Sequence, residues 1–186
     1  MSVPWLVLID LQFDFYHPGG VYGRTGRPLA PFQKTLSYLK TRAIKYPRVL
    51  RVGSIYSTDQ WSDMPGLCTT PKGCSWCPEL RRGRLIIKRQ QSCHTVLQEH
   101  FKRPVPVVIG GFCTHRCVRS TVHKLISMNW PVKVLEPGVA SCGHRQSEHE
   151  NCLRTWRQQG SLIETLFPKQ RSPDFKAPQL MDVNPV

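Results

Sequence analysis

Apolar segments of strand length alternate with segments of helical period along most of this chain. The strand candidates are Trp5–Ile9, Val49–Tyr56, Leu85–Ile87, Val105–Ile109, Val132–Leu135 and Leu162–Leu166. A crossover between parallel strands returns over the sheet and buries one face of its helix, so regular alternation predicts helices on both faces. The expected fold is a three-layer α/β domain with a mostly parallel sheet of six strands.

Apolar stripes with a period of three to four residues predict the helices. The clearest stripes are Phe32, Leu36, Leu39 and Ala43; then Val96, Leu97 and Phe101; then Val118, Val122, Leu125 and Ile126. Ser147 with Glu150 three residues later has the form of a capping box, and Gly160 stands where the following helix should end. The segment around His17–Gly20 is interpreted as a loop.

The length of 186 residues suits one compact domain, expected over residues 1–167. Four prolines after position 167 predict an extended tail over residues 168–186. No apolar run approaches the about 20 residues that span a bilayer. No basic lead precedes the apolar Trp5–Ile9, so we expect neither a signal peptide nor a transit peptide. Eight cysteines without a secretory signal favour a reducing compartment, the cytosol or an organelle matrix.

Basic residues dominate the charge of the chain. Lysine and arginine total 26 against 12 acidic residues, which gives a net charge of +14. The excess is concentrated between Phe15 and Thr58, and again between Arg81 and Lys133. Such a field attracts nucleic acids and small anions alike, and a solvated surface without a partner is equally compatible with it. No nucleic-acid-binding motif is recognisable.

Three residues lie where an open parallel sheet collects its ligands, at the carboxyl ends of strands. Asp10 follows the first predicted strand, Lys88 ends the third, and Cys117 lies after the fourth at a predicted helix start. Each alone has an ordinary structural explanation as a turn cap, a solvated amine or a buried thiol. Together they predict a nucleophilic thiol whose pKa is lowered by the helix N-terminus and the amine, with a carboxylate as acid and base. The chemistry indicated is acyl transfer to water.

The residues around these three positions resemble the motifs of the isochorismatase-like cysteine hydrolases. The segment DLQFDF from Asp10 resembles the family's DxQxDF opening, and Lys88 with Ser92 resembles its Lys-x-x-x-Ser segment. The segment GFCTHRCVRST from Gly111 resembles its GxxTxxCVxxT signature. The resemblance extends from about Trp5 to about Leu166.

The resemblance implies a Rossmann-like, single-domain hydrolase with an Asp-Lys-Cys triad. In it Asp10 would be the acid and base, Lys88 would order the nucleophile and polarise the substrate, and Cys117 would attack. The family's cis peptide before the signature threonine would join Phe112 to Cys113, so that the amides of Cys113 and Cys117 face the oxyanion. Members that cleave an enol ether lack the cysteine, so the expected substrate is a small amide or ureido compound. No cofactor is expected. The resemblance also suggests a homo-oligomer, because members of the family commonly associate.

The chain also departs from the family. Nicotinamidase-type members bind a metal through an Asp-x-His pair and a later His, where this chain has Gln60, Ser62 and Leu67, so that metal site is not supported. His94 replaces an aromatic residue, which predicts a more polar pocket. Basic residues beside the nucleophile, Arg116 among them, favour an acidic substrate. The candidate pocket residues are Phe15, Gln60, Trp61, His94, His115 and Arg119.

Other cysteines and histidines have spacings that metal sites also use. Cys68, Cys74 and Cys77 include a C-x-x-C pair and could form a zinc site with Cys93 or with His94; reduced thiols in a loop are the alternative. A histidine on the last helix, His149, is interpreted as structural.

A second class of function stays open. The chain could be a hydrolase-fold protein that serves as a basic structural component of an RNA-containing or other large assembly, such as an organellar ribosome, with its triad idle. The presence of all three triad residues favours the enzyme. The charge and the replaced pocket residues favour the structural role.

Overall fold

The computed structural model describes residues 3–166, and the predicted tail lies outside them. Its centre is a sheet of six strands in the order β3-β2-β1-β4-β5-β6, and every described pairing is parallel. The strands are β1 (Trp5–Ile9), β2 (Val49–Ser54), β3 (Arg84–Lys88), β4 (Val107–Phe112), β5 (Val132–Ala140) and β6 (Leu162–Ile163). The predicted α/β class with six strands is confirmed, and the sheet is parallel throughout.

Two strands continue past the residues at which the apolar pattern stops. Strand β4 includes two glycines, Gly110 and Gly111, and β5 runs on through a proline to Ala140. Gly111 has a φ of +126°, and a Cβ there would lie 2.0 Å from the Ile9 carbonyl oxygen. Glycine therefore lets β4 stay against β1 where any side chain would push the strands apart. Strand β6 is shorter than predicted.

Six helices surround the sheet in the described residues. They are α1 (Phe13–Tyr16), α2 (Val21–Arg24), α3 (Ala30–Arg42), α4 (His94–Phe101), α5 (Arg119–Ser127) and α6 (Gln146–Gln158). The short helices α1 and α2 lie on either side of His17–Gly20, the segment interpreted as a loop. The capping box predicted for α6 is wrong: the helix begins one residue before Ser147, whose Oγ donates to Glu148 Oε2 at 3.0 Å instead.

Helices cover both faces of the sheet, as predicted. Because side chains alternate along a strand, Leu6 and Leu8 of β1 pack on one face with α3, while Val7 and Ile9 pack on the other with α4, α5 and α6. Burying each such side chain stabilises the fold by roughly 1.5–3 kcal/mol. No helix within residues 3–166 is long and apolar enough to cross a membrane.

The strand order places a ligand crevice at the carboxyl ends of β1 and β4. From β1 the chain builds outward to β2 and β3, and from β4 in the opposite direction to β5 and β6. Neighbouring connections therefore diverge between β1 and β4, and open α/β sheets bind ligands at this point. The long connection from β2 to β3, residues 55–83, contains only one short 3₁₀ turn, Pro78–Leu80. Its side chains form part of the wall of the crevice.

Candidate active site

Asp10, Lys88 and Cys117 meet in the crevice. Asp10 directly follows β1, Lys88 is the last residue of β3, and Cys117 lies in a π-helical turn between β4 and α5. The Lys88 Nζ lies 3.0 Å from Asp10 Oδ2 and 3.5 Å from Cys117 Sγ. The exposed fractions of the three residues are 0%, 1% and 5%. A carboxylate, an ammonium and a thiol thus share one buried cluster.

The backbone after β1 aims the Asp10 carboxylate at the cluster. Asp10 has a φ of +57°, the left-handed conformation that aspartate and asparagine tolerate better than most residues. Its Oδ1 accepts a hydrogen bond from Ser54 Oγ at 2.7 Å. Its Oδ2 has the Lys88 charge beside it but accepts no hydrogen bond of regular geometry. This oxygen is available to take a proton.

The other polar residues of the DLQFDF segment build the walls around Asp10. Gln12 accepts from the Ser54 N–H at 2.7 Å and donates to the Ser54 carbonyl at 3.0 Å, which fixes the end of β2. Asp14 is buried and accepts the backbone N–H groups of Val21 and Cys68. The segment therefore supplies one carboxylate to the cluster, while Gln12 and Asp14 hold neighbouring loops.

Lys88 is held by more acceptors than the triad alone provides. Its Nζ donates to Ser54 Oγ and Tyr56 OH, each at 2.7 Å, and to the Gln90 carbonyl at 3.2 Å. Burial opposes the charge, but the Asp10 carboxylate and the Cys117 sulfur outweigh it, so the pKa of Lys88 is raised. Lys88 is therefore a fixed cation.

Ser54 and Tyr56 are site residues that the sequence analysis missed. The Tyr56 hydroxyl lies 3.7 Å from Cys117 Sγ and 2.7 Å from Ser54 Oγ, so the two hydroxyls connect the thiol to the carboxylate. The available signal was their position two residues apart at the end of the predicted strand Val49–Tyr56, because alternate side chains of a strand face the same side.

Cys117 is a protonated thiol in the resting protein. Burial, the largest cause, raises its pKa to about 11; the Lys88 charge lowers it, and the Asp10 carboxylate raises it further. This is opposite to the lowered pKa expected from a helix N-terminus. Cys117 itself is only 5% exposed, so the desolvation of a thiolate outweighs the local dipole.

The turn that carries Cys117 is organised around the Cys113 carbonyl. The Phe112–Cys113 peptide is cis, at the position that the resemblance implies. The Cys113 carbonyl accepts the N–H groups of Arg116 at 3.1 Å and Val118 at 3.2 Å. These bonds fold the chain tightly between β4 and α5 and bring the backbone of residues 113 and 117 to the crevice.

The two signature threonines anchor this turn from outside. Thr121 Oγ1 donates to the Cys117 carbonyl at 2.7 Å and accepts the Cys93 N–H at 3.0 Å. Thr114 Oγ1 lies 2.9 Å from Nδ1 of His149 on α6. His149 thus has the structural position that was predicted for it.

A small cavity opens beside the Cys117 sulfur. Its total empty space is about 220 Å³, including the part open to solvent, and its interior has room for about one water molecule. The walls are mostly aromatic and aliphatic rather than polar, which differs from the expected polar pocket. The lining residues are Phe15, Tyr22, Tyr56, Trp61, Met64, Leu67, Cys113, Arg116 and Cys117.

Phe15 and Trp61 are the predicted pocket residues that line this cavity. Gln60 is exposed and donates to the Arg89 carbonyl at 3.0 Å, and His94 Nδ1 lies 2.9 Å from Ser92 Oγ. The other two candidates are His115, whose Nδ1 lies 2.7 Å from Ser141 Oγ, and Arg119, which is exposed on α5. None of these four residues, Gln60, His94, His115 and Arg119, lines the cavity.

Several solved structures of hydrolases share this fold. An isochorismatase-like hydrolase from Alkaliphilus metalliredigens is 19% identical, with a TM-score of 0.67 over 89% of this chain and 96% of its own. A pyrazinamidase of Pyrococcus horikoshii, solved in complex with zinc, is 19% identical, with a TM-score of 0.64 over 87% and 99%. N-carbamoylsarcosine amidase from Thermoplasma acidophilum is 18% identical, with a TM-score of 0.59 over 91% and 100%. No protein-family model and no curated protein matches the chain. The resemblance to isochorismatase-like hydrolases is confirmed at the level of the fold.

The side chains that the structure describes form no group that could hold a metal ion. In residues 3–166 no three His, Cys, Asp or Glu side chains come close enough together to share one. The zinc cluster suggested for Cys68, Cys74 and Cys77 is not assembled. Cys74 Sγ donates to the Cys68 carbonyl at 2.9 Å, whereas Cys77 Sγ donates to Glu79 Oε2 at 3.1 Å.

Proposed function

We propose that the protein is a cysteine amidohydrolase that cleaves a small amide or ureido compound through a thioester on Cys117. The observation that carries the proposal is the meeting of Asp10, Lys88 and Cys117 in one buried cluster beside a cavity. The fold shared with hydrolases supports it, because the cluster lies at the crevice of that fold.

The reaction begins with a proton transfer inside the cluster. The Cys117 proton passes to Asp10, and the sulfur attacks the substrate carbonyl carbon. The pKa of about 11 refers to losing this proton to water, which would leave net negative charge in a buried site. Transfer to Asp10 moves the charge without creating any, because one carboxylate is replaced by one thiolate beside the same Lys88 cation.

The tetrahedral intermediate then collapses to a thioester. The carbonyl oxygen carries the negative charge, and the backbone N–H groups of Cys113 and Cys117 are the donors assigned to it. The C–N bond breaks as protonated Asp10 returns its proton to the leaving nitrogen. Water then attacks the thioester and gives a proton to Asp10. The C–S bond breaks, the acid is released, and Asp10 passes this proton to the sulfur, which restores the thiol and the carboxylate.

The proposal is tested by intact-protein mass spectrometry after exposure to a library of small amides. We expect an acyl adduct on Cys117 that neutral hydroxylamine removes, and release of ammonia or amine with the same substrate. Cys117→Ala should abolish both signals. The matched control is Cys152→Ala, because Cys152 is also buried but lies on α6 outside the cavity. Undiminished turnover of the identified substrate by Cys117→Ala would overturn the mechanism.

A further inference from the structure

One guanidinium interrupts the otherwise uncharged cavity wall. Arg116 precedes the proposed nucleophile in the chain, and within residues 3–166 it is the only charged residue that lines the cavity. Its guanidinium carbon lies over the Trp61 ring, 5.3 Å from the ring centre, and this cation–π contact holds it against that wall. A fixed, planar cation beside Cys117 selects the charge of whatever enters.

The Arg116 guanidinium already forms an ion pair with a carboxylate of the protein, that of Asp63. Asp63 Oδ2 lies 2.8 Å from one terminal nitrogen of Arg116, and Oδ1 lies 3.3 Å from the other. This is the two-point geometry by which arginine recognises carboxylates. The Asp63 and Arg116 side chains are 40% and 25% exposed. Ion pairs of such exposure are weak, so a carboxylate from solution can replace Asp63.

The charges at the cavity mouth do not balance. A second guanidinium, that of Arg27, lies 3.6 Å from Asp63 Oδ2 and stacks over the Tyr22 ring at 5.2 Å. Two arginines therefore share one carboxylate. Arg27 also donates to the Asp63 backbone carbonyl at 3.0 Å, so this contact can persist when the Asp63 side chain leaves Arg116. The mouth thus favours an anion even while Asp63 is in place.

We propose that the substrate bears a carboxylate, which replaces Asp63 on Arg116 while the amide carbonyl reaches Cys117. The inference rests on the proposed function and names its substrate class. A carboxylate is favoured over other anions because the group now in the position is one, and it uses both terminal nitrogens. The cavity limits the substrate to a compact molecule.

The same exchange opens the cavity. Asp63 lies between Trp61 and Met64, which both form the wall, and its side chain ties that wall to the Cys117 turn through Arg116. When a substrate carboxylate takes over Arg116, this tie is released. Anion binding and access to the thiol are therefore coupled.

The test compares two alkylating reagents that differ in one group, iodoacetate and iodoacetamide. For each reagent, the rate constant of alkylation at Cys117 is measured by peptide mass spectrometry between pH 7 and 10. The quantity compared is the ratio of the iodoacetate rate constant to the iodoacetamide rate constant. Both reagents attack the same thiolate, so any change in its pKa cancels in the ratio. Arg116→Gln should lower the ratio of iodoacetate to iodoacetamide by at least about tenfold, because a charged hydrogen-bond partner is lost. Asp63→Asn should raise it a few-fold, because the competing carboxylate is removed.

The matched control is Arg119→Gln, which removes the same charge three residues away on the exposed side of α5. It should leave the ratio within about twofold, since the distance to the cavity weakens its effect. A ratio that responds equally to both arginine variants, or to neither, overturns the anion inference while the amidohydrolase stands. If neither reagent modifies Cys117, the nucleophile of the proposed function is itself wrong, and this inference is overturned with it.

Discussion

Replacing Asp10 with asparagine should make Cys117 more reactive towards alkylation and less able to catalyse hydrolysis. Asparagine has nearly the shape of aspartate and tolerates the left-handed φ of +57° at this position, so the backbone is expected to remain. What changes is the negative charge next to the thiol. Loss of that charge favours a thiolate, whereas loss of the proton acceptor prevents general-base catalysis.

The size of the effect follows from the cluster geometry. Asp10 Oδ2 and Cys117 Sγ lie 3.0 Å and 3.5 Å from the same Lys88 nitrogen, so they are no more than about 6.5 Å apart. At an effective dielectric constant of about 20, two unit charges at that distance repel by about 2.5 kcal/mol, or about two pKa units. The pKa of Cys117 should therefore fall from about 11 towards about 9 in Asp10→Asn.

The assay is the rate of iodoacetamide alkylation of Cys117 against pH. At pH 8 the thiolate fraction should rise about 100-fold in Asp10→Asn. The less basic thiolate is intrinsically slower by about tenfold, which leaves a net increase of about tenfold. Turnover of the amide substrate should fall by about 10²–10⁴-fold in the same variant. Asp59→Asn is the control, because it makes the same change at an exposed position and should leave the thiol pKa alone. An unchanged or higher thiol pKa in Asp10→Asn would refute the assigned role of Asp10.

Four further results are expected. Tyr56→Phe removes a hydroxyl that lies 2.7 Å from the Lys88 nitrogen and 3.7 Å from the Cys117 sulfur. Because this hydroxyl lowers the pKa of Cys117, the thiol pKa should rise in the variant, and kcat should fall about tenfold. The pH profile of alkylation measures the pKa. Gly111→Ala should lower the free energy of unfolding by at least about 3 kcal/mol in denaturant titration, because its Cβ meets the β1 backbone at positive φ. Burial raises the pKa of Cys93 to about 12 and that of Cys117 to about 11, so the folded protein keeps protons that unfolded thiols release near 8.5. Stability should accordingly fall as pH rises above about 8.5, by about 3 kcal/mol per thiol near pH 11, and a flat profile in denaturation experiments from pH 7 to 11 would contradict it. The alternative role in an RNA-containing assembly would require RNA to co-purify and to dissociate steeply with salt, and protein that elutes free of RNA at low salt would remove that alternative.

The sheet and the triad positions were predictable because both depend on short stretches of sequence. Alternating strands and helices define the layers, and Asp10 and Lys88 each follow or end a strand, so topology alone brings them to one edge. The strand bounds were less accurate where glycine continued a strand beyond its apolar pattern, as at Gly111. Backbone pairing with β1 decides that boundary, and the pairing is not visible in a single strand's residues.

The cavity wall could not be predicted in the same way. Trp61, Met64 and Leu67 come from residues 55–83, a connection with almost no regular periodicity, and they reach Cys117 only through tertiary packing. The sequence predicted a polar pocket because His94 stands at a motif position where the family has an aromatic residue. In the structure His94 begins α4 outside the lining, and aromatic residues from other segments occupy the wall. Residue type at a motif position therefore says little about a pocket whose wall another segment supplies.

The thiol pKa shows why a local rule can reverse in a folded site. A cysteine at a helix start next to a lysine predicts a stabilised thiolate, and Lys88 does lower the pKa of Cys117. The same lysine, however, is already neutralised by Asp10 at 3.0 Å, and the three side chains are almost fully buried. A second anion would then be in excess, so the resting site holds a thiol and a carboxylate around one cation. In the proposed mechanism, reactivity depends on where the proton can move within the cluster, which makes the proposed acceptor Asp10 as important as the proposed nucleophile Cys117.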